Sequence, residues 1–310
     1  MGRGNLVCFL CLCALLGGFL GAQVSPLAYM LVGVLAPLPV LVAGRRSGDL
    51  AAVGVALTAL VVIFSLHPAP ETFWHNLGFL NLLAMGVLLC VLQKRGMATA
   101  QAIIITVVAL NVIAMLIFLG QAFYLGLTPQ KLLAQKINEI MASVNKVLGD
   151  HGGSEALVPG LSVDHLKVLL GRLLPGLMVV NMGLVAWLNV VLARQLYALL
   201  GWGEPDPPLY HWVAPEWLIF LLVGAGFTLL VPMTQVRFTS LNLLLILAVL
   251  YFAQGLAVVA NWFHRLGLPR PLRVVGYPLM FLNPVFFVII TLGLIDLWLD
   301  FRRLHRPKET

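Results

Sequence analysis

The 310-residue chain is 61% hydrophobic and only 10% charged, with a formal net charge of +7 and a mean hydropathy of +0.99. A soluble domain of this length needs a charged coat, so the composition excludes a water-soluble globular fold and leaves lipid as the solvent of the outer surface. The basic excess does not indicate nucleic-acid binding. The cations gather in short breaks between apolar runs, at Arg45-Arg46, Lys94-Arg95, Arg265 to Arg273 and Arg302 to Lys308, as in loops that face anionic lipid.

In chain order, charges and turn residues cut the sequence into nine apolar segments: Asn5 to Ala22, Pro26 to Ala43, Asp49 to Leu66, Phe73 to Leu92, Ala98 to Leu119, Leu170 to Leu200, Pro215 to Met233, Leu241 to Phe263 and Val274 to Leu299. Each approaches the length that crosses roughly 30 Å of hydrocarbon at about 1.5 Å per residue. The expected fold is therefore an all-α polytopic transmembrane bundle of about 8–9 spans, a single integral membrane domain over 1–310. The first segment resembles a secretory signal, with Arg3 ahead of an apolar run and Leu20-Gly21-Ala22 like a cleavage site, yet uncharged sequence continues to Gly44, and a retained helix is expected.

Proline clusters at His67-Pro68-Ala69-Pro70 and Pro205-Asp206-Pro207-Pro208 read as interfacial turns, and Pro37, Pro39, Pro175 and Pro284 predict kinks. Such kinks persist in a membrane only where neighbouring helices or side chains satisfy the released carbonyls. The one extended non-spanning region, 126–169, opens with Thr128 as N-cap and Pro129 at the first helical position. An amphipathic helix to about Leu148 follows, with Leu133, Ile137, Ile140, Met141, Val144, Val147 and Leu148 at three- and four-residue steps, suited to the interface.

Nine simple crossings with the N-terminus inside would place Arg302, Arg303, Arg306 and Lys308 outside, against the positive-inside rule. A turn back within Met97 to Gln130 would restore an even number of crossings, and that arrangement is expected.

The principal ionisable candidate is Asp296 at the end of the last apolar run, with Asp300 and Arg303 following at helical spacing; it marks either an ion path or a local pair with Arg303 or with a neighbouring loop. Amides inside spans form a second set: Asn181, Asn189, Gln254, Asn261 and Asn283, together with Asn81 and Asn111, which either line a polar cavity or bond helix to helix. The cysteines Cys8, Cys11, Cys13 and Cys90 read as small hydrophobes, and the seven histidines lie at loops or span ends without metal-binding spacing. No catalytic, cofactor-binding or nucleotide-binding motif is present, so a non-enzymatic protein without cofactor or metal is expected. On the first helix Ala14, Gly18 and Ala22 recur every fourth residue beside a Gly17 and Gly21 row, a face that either packs internally or docks another membrane subunit.

Five segments carry a family resemblance: Pro37-Leu38-Pro39 with Gly44-Arg45-Arg46-Ser47-Gly48, Trp212-Val213-Ala214-Pro215-Glu216-Trp217, Tyr251-Phe252-Ala253-Gln254-Gly255, and Gly293-Leu294-Ile295-Asp296-Leu297-Trp298-Leu299-Asp300-Phe301-Arg302. Together they resemble the YybS-like family of bacterial polytopic membrane proteins, which carries a domain of unknown function. That family is distantly similar to the substrate-binding membrane subunits of energy-coupling-factor vitamin transporters. The resemblance implies an inner-membrane transporter component that binds a small molecule between helices and is energised by a membrane coupling subunit and an ATPase, with Ala14, Gly18 and Ala22 as the docking face. The chain is longer than a typical six-helix subunit of that kind and shows no vitamin-binding motif. A non-transporting scaffold that recruits partners through its basic loops is the alternative.

Overall fold

The computed structural model describes residues 3–22, 26–66, 70–148, 163–202 and 211–302, and among these every regular element is helical. In chain order the helices are α1 (Arg3–Ala22), α2 (Pro26–Leu35), α3 (Pro37–Ser47), α4 (Asp49–Leu66), α5 (Pro70–Lys94), α6 (Thr99–Tyr124), α7 (Pro129–Leu148), α8 (Val163–Leu199), α9 (Leu218–Thr228), α10 (Thr234–Arg265), α11 (Arg270–Leu279) and α12 (Val285–Leu299). The expected turns at His67 to Ala69 and Pro205 to Pro208, and the basic residues Arg303, Arg306 and Lys308, lie outside the described residues.

Among the described residues six helices are long and apolar enough to cross a membrane: α1, α4, α5, α6, α8 and α10. The other three of the nine apolar runs do not each form one continuous helix. Pro26 to Ala43 is broken at Ala36 into α2 and α3. Pro37 and Pro39 lack the N–H groups that would bond Gly33 and Leu35, and the chain instead makes a tight turn in which Ala36 N–H donates to the Gly33 carbonyl at 3.4 Å. The run from Pro215 is helical only from Leu218, and Val274 to Leu299 is divided between α11 and α12. Conversely, the expected turn back within Met97 to Gln130 does not divide the apolar run; the chain turns at Leu125 and Gly126, after the run has ended. Residues Thr99–Tyr124 form one helix of 26 residues, with nothing in its interior to break the bonding ladder.

The described chain divides into two compact units. Unit 1 comprises Met1–Gly171 and Asn181–Glu204, and its interior is built around α3 and α5. Close approach of these two helices requires glycine: a Cβ on Gly86 would stand 2.8 Å from the Pro37 carbonyl oxygen, and one on Gly44 would fall on the Cys90 sulfur. Helix α1 is integral to this unit, burying Cys11, Leu15 and Phe19, with the Phe19 ring edge-on to Phe79 at 5.5 Å. Helix α7 starts as the sequence predicts, with Lys131 N–H reaching the Thr128 hydroxyl at 3.4 Å, and it buries Leu132, Ile137 and Met141. Ile140, expected on that stripe, is exposed.

Unit 2 comprises Arg172–Val180 and Pro205–Thr310. Its centre is the pair α10 and α12. A Cβ on Gly255 would fall on the Ile289 carbonyl oxygen, and one on Gly293 would fall on the Tyr251 carbonyl oxygen and lie 2.6 Å from the Gly255 nitrogen. Each glycine thus faces the carbonyl one turn earlier on the other helix, the reciprocal pattern of two parallel helices in backbone contact. Trp262 against Phe301 at 6.1 Å, and Arg265 Nη2 donating to the Arg302 carbonyl at 2.5 Å, bring both C-terminal ends together. Residues 266–301 therefore leave the end of α10 and return to it. At the far point of this excursion Phe281 and Phe286 pack on Phe252, at 5.0 and 4.7 Å. Phe252 lies 13 residues from Arg265, about 20 Å along a helix axis. The excursion thus brings Arg265 and Arg302 to one end of the α10 and α12 pair.

Candidate functional site

Three segments distant in sequence meet in a buried polar cluster of unit 2. Helix α12 ends at Leu299, and Asp300 adopts a left-handed conformation at φ 41°, turning the chain back so that Arg302 folds under the helix it has just left. Its guanidinium donates to Asp296 Oδ2 from Nη2 at 2.6 Å and from Nε at 3.1 Å, with the two side chains only 1% and 2% exposed. The carboxylate also accepts from Gln254 Nε2 at 3.2 Å and from the Phe301 backbone N–H at 3.1 Å. Arg302 Nη1 donates to the Trp212 carbonyl at 2.6 Å, and the Ala214 N–H donates to Gln254 Oε1 at 3.2 Å. A buried ion pair is stable only when its remaining donors and acceptors are satisfied, and this cluster supplies them.

Asp296 pairs with Arg302; Arg303, the partner that helical spacing suggests, falls outside the described residues. Helical spacing does not point to Arg302 because the helix stops three residues before it. Of the other amides in the expected polar set, Gln254 joins this cluster and Asn261 is buried on α10, whereas Asn181 and Asn283 are exposed.

Two asparagines perform the service that membrane prolines demand. Asn242, which the sequence reading did not single out, inserts its amide into the α8 ladder beside Pro175. Its Oδ1 accepts from Gly176 N–H at 2.6 Å, and its Nδ2 donates to the Arg172 carbonyl at 2.8 Å. These two backbone groups would otherwise bond each other. In unit 1, Asn189 Nδ2 donates to the Val34 carbonyl beside the α2–α3 break and to its own Val185 carbonyl, both at 2.7 Å.

Asn189 leaves its Oδ1 buried and without a hydrogen-bond partner among the described residues, as do Asn81 at Oδ1 and Thr106 at Oγ1. The three residues are 0%, 5% and 0% exposed, respectively, for Asn189, Asn81 and Thr106. Asn81 Nδ2 reaches the Leu110 carbonyl at 3.4 Å, one turn along α6 from Thr106. Gly33 faces Leu82 and Gly86 faces Pro37, so Asn81 lies within about one helical turn of the depth of the α2–α3 break, where Asn189 also binds. Asn189 thus bonds beside the break, and Asn81 lies about one turn from its depth.

One end of unit 1 is basic and aromatic. Arg45 lies over the Tyr197 ring and Arg46 over Trp202, each at 5.6 Å, and those rings stack at 6.1 Å. Lys94 pairs with Asp49 at 3.1 Å, and Arg194 donates to Thr99 at 2.5 Å.

A family model described as predicted membrane protein, DUF2232, matches residues 11–297. The chain belongs to that family. No curated protein and no solved structure matches it.

In this DUF2232 protein the small-residue row of α1 is partly occupied from within: a Cβ on Gly18 would stand 3.3 Å from Val32 of α2. Ala14 is exposed, the side chain of Ala22 lies outside the description, and Gly17 and Gly21 have open space beside them. Three of the segments that carried the family resemblance, Trp212 to Trp217, Tyr251 to Gly255 and Gly293 to Arg302, are those that build the buried ion pair and the glycine contact. The sequence signal for the Asp296 site was thus present as motifs, while its geometry was not.

Proposed function

We propose that this DUF2232 protein is a non-enzymatic, inner-membrane component of a small-molecule transport system, and that it holds a polar solute at mid-depth in unit 1. The observation that carries the reading is that Asn81, Thr106 and Asn189 each keep a buried oxygen without a hydrogen-bond partner among the described residues, in the unit whose helix is broken at Ala36. A buried acceptor without a partner costs about 1–3 kcal/mol, so such groups in a native core call for a ligand or ordered water. Discontinuous helices at mid-membrane are where transporters place substrate, because unwound backbone is tolerated only beside a polar cavity. Three neutral oxygens suit a solute offering N–H or O–H donors, or a monovalent cation, in preference to an anion. The buried Asp296 and Arg302 pair, with its bonding groups engaged, acts as the structural clamp of unit 2.

Energy would come from a membrane coupling subunit and an ATPase, in line with the resemblance to energy-coupling-factor substrate-binding subunits. The open positions Ala14, Gly17 and Gly21 on α1 support such docking better than Gly18. The scaffold reading has its own support in the basic and aromatic end of unit 1, which suits recruitment of an acidic protein surface.

The test uses the full chain in proteoliposomes, screened for retention of ammonium compounds, polyols and alkali cations. Thr106→Val and Asn81→Leu are expected to lower retention about tenfold while leaving the thermal midpoint unchanged or raised, because neither removes a strong protein hydrogen bond. No retained solute across the screen, or retention unaffected by both substitutions, would overturn the transport reading in favour of the scaffold.

A further inference from the structure

Unit 2 carries two adjoining cavities that the buried ion pair does not use. The first, of about 730 Å³, is lined by Arg172 and Pro175 from α8 and by Thr234, Gln235, Phe238, Thr239 and Asn242 from α10. The second, of about 410 Å³, lies between α9 and α10, with Phe220, Leu221, Gly224, Ala225 and Leu243 on its walls. Gln235 and Thr239, four residues apart on one face of α10, line both. Each volume falls in the range of small-molecule sites.

The two chambers differ in chemistry. The first holds a cation, two hydroxyls and two amides, and no Asp or Glu is among its lining residues. Its Arg172 is exposed, with the guanidinium carbon 4.6 Å from the centre of the Phe238 ring, an orientation that fixes the cation against the wall. Asn242 cannot turn away to change this chemistry, since its amide is held in the α8 ladder. The second chamber is mainly apolar: its polar groups are the shared Gln235 amide and three small hydroxyls, two of which, Thr228 and Ser240, bond each other at 2.7 Å. Gly224 leaves open space where a side chain would stand.

We infer that these cavities form one binding site for an anionic phospholipid, with the phosphate-bearing headgroup on Arg172 in the first chamber and an acyl chain over Phe220, Gly224 and Leu243 in the second. Charge complementarity selects the headgroup: an arginine with no Asp or Glu among the described lining residues favours an anion and gives a zwitterionic head no counterpart there for its ammonium. The adjoining apolar groove selects a lipid over a free anion, because inorganic phosphate would leave that groove without an apolar occupant.

Native mass spectrometry of the full chain in mild detergent tests this, with phosphatidylglycerol and phosphatidylcholine of matched acyl chains added in equal amounts. Phosphatidylglycerol is expected to be retained about fivefold over phosphatidylcholine, with the preference lost in Arg172→Gln and kept in Arg172→Lys, as expected for one cation at an anionic headgroup. Gly224→Leu, which fills the groove, is expected to lower phosphatidylglycerol retention while circular dichroism shows unchanged helix content. Equal retention of the two lipids by the wild type, or an undiminished preference in Arg172→Gln, would overturn the assignment. Displacement of phosphatidylglycerol by inorganic phosphate in tenfold molar excess would show a free-anion site and overturn the lipid reading.

Discussion

Asp296 shows how much a single residue's meaning depends on where a helix stops. On a continuous helix Asp296 and Arg303 share a face, and the carboxylate reads as either an ion-path group or an interfacial partner. The left-handed turn at Asp300 instead returns Arg302 to Asp296 in a site that excludes water. Asp296→Asn removes one charge and leaves the other buried, a change expected to destabilise by about 3–5 kcal/mol. The combined change Asp296→Leu with Arg302→Met should cost less than that single substitution, and thermal unfolding in detergent compares them. Arg302→Lys is expected to resemble Asp296→Asn more than the wild type, because an ammonium cannot span Asp296 and the Trp212 carbonyl as the guanidinium fork does.

At the scale of elements, glycine decides which helices touch. Gly255 and Gly293 stand where any Cβ would meet a backbone carbonyl, so Gly255→Ala and Gly293→Ala are each expected to separate α10 from α12 and lower the thermal midpoint markedly. Gly183→Ala, with nothing within 4 Å of the new Cβ, should be neutral or slightly stabilising. The returning course of 266–301 makes a separate prediction. With the four native cysteines replaced by serine, single cysteines at Leu266 and Leu299 should react with a membrane-impermeant reagent added from the same side. A last segment that crossed the bilayer would place them on opposite sides.

Across the whole molecule, the basic residues of unit 1 predict its orientation. Arg45, Arg46, Lys94, Arg95 and Arg194 lie at helix ends or near them, and α6 runs from Thr99, beside Arg194, to Tyr124 at its far end. Cysteine at Met97 should therefore be labelled only from the cytoplasmic face and cysteine at Leu127 only from the other. Labelling of both from one face would contradict a crossing by α6. The exposed apolar residues of α6, among them Val108, Val112, Leu116 and Phe123, fit this crossing, since a helix face of that character is stable only against hydrocarbon.

Much of this was legible from residues alone. Hydropathy and charge spacing determined the membrane class, the bounds of α4, the start of α7 at Thr128 and Pro129, and the sites where proline would disturb a helix. These are properties of local backbone and solvent, and they act wherever the chain goes. Tertiary structure decided the rest: that Asn242 and Asn189 serve the proline breaks, that Gly18 faces Val32, that Arg302 meets Asp296, and that α12 returns beside α10. An amide, a glycine or a buried charge carries no mark of its partner in the sequence. Its role follows from which backbone group or counter-charge the fold brings within about 3 Å, in a medium where an unmet polar group is costly.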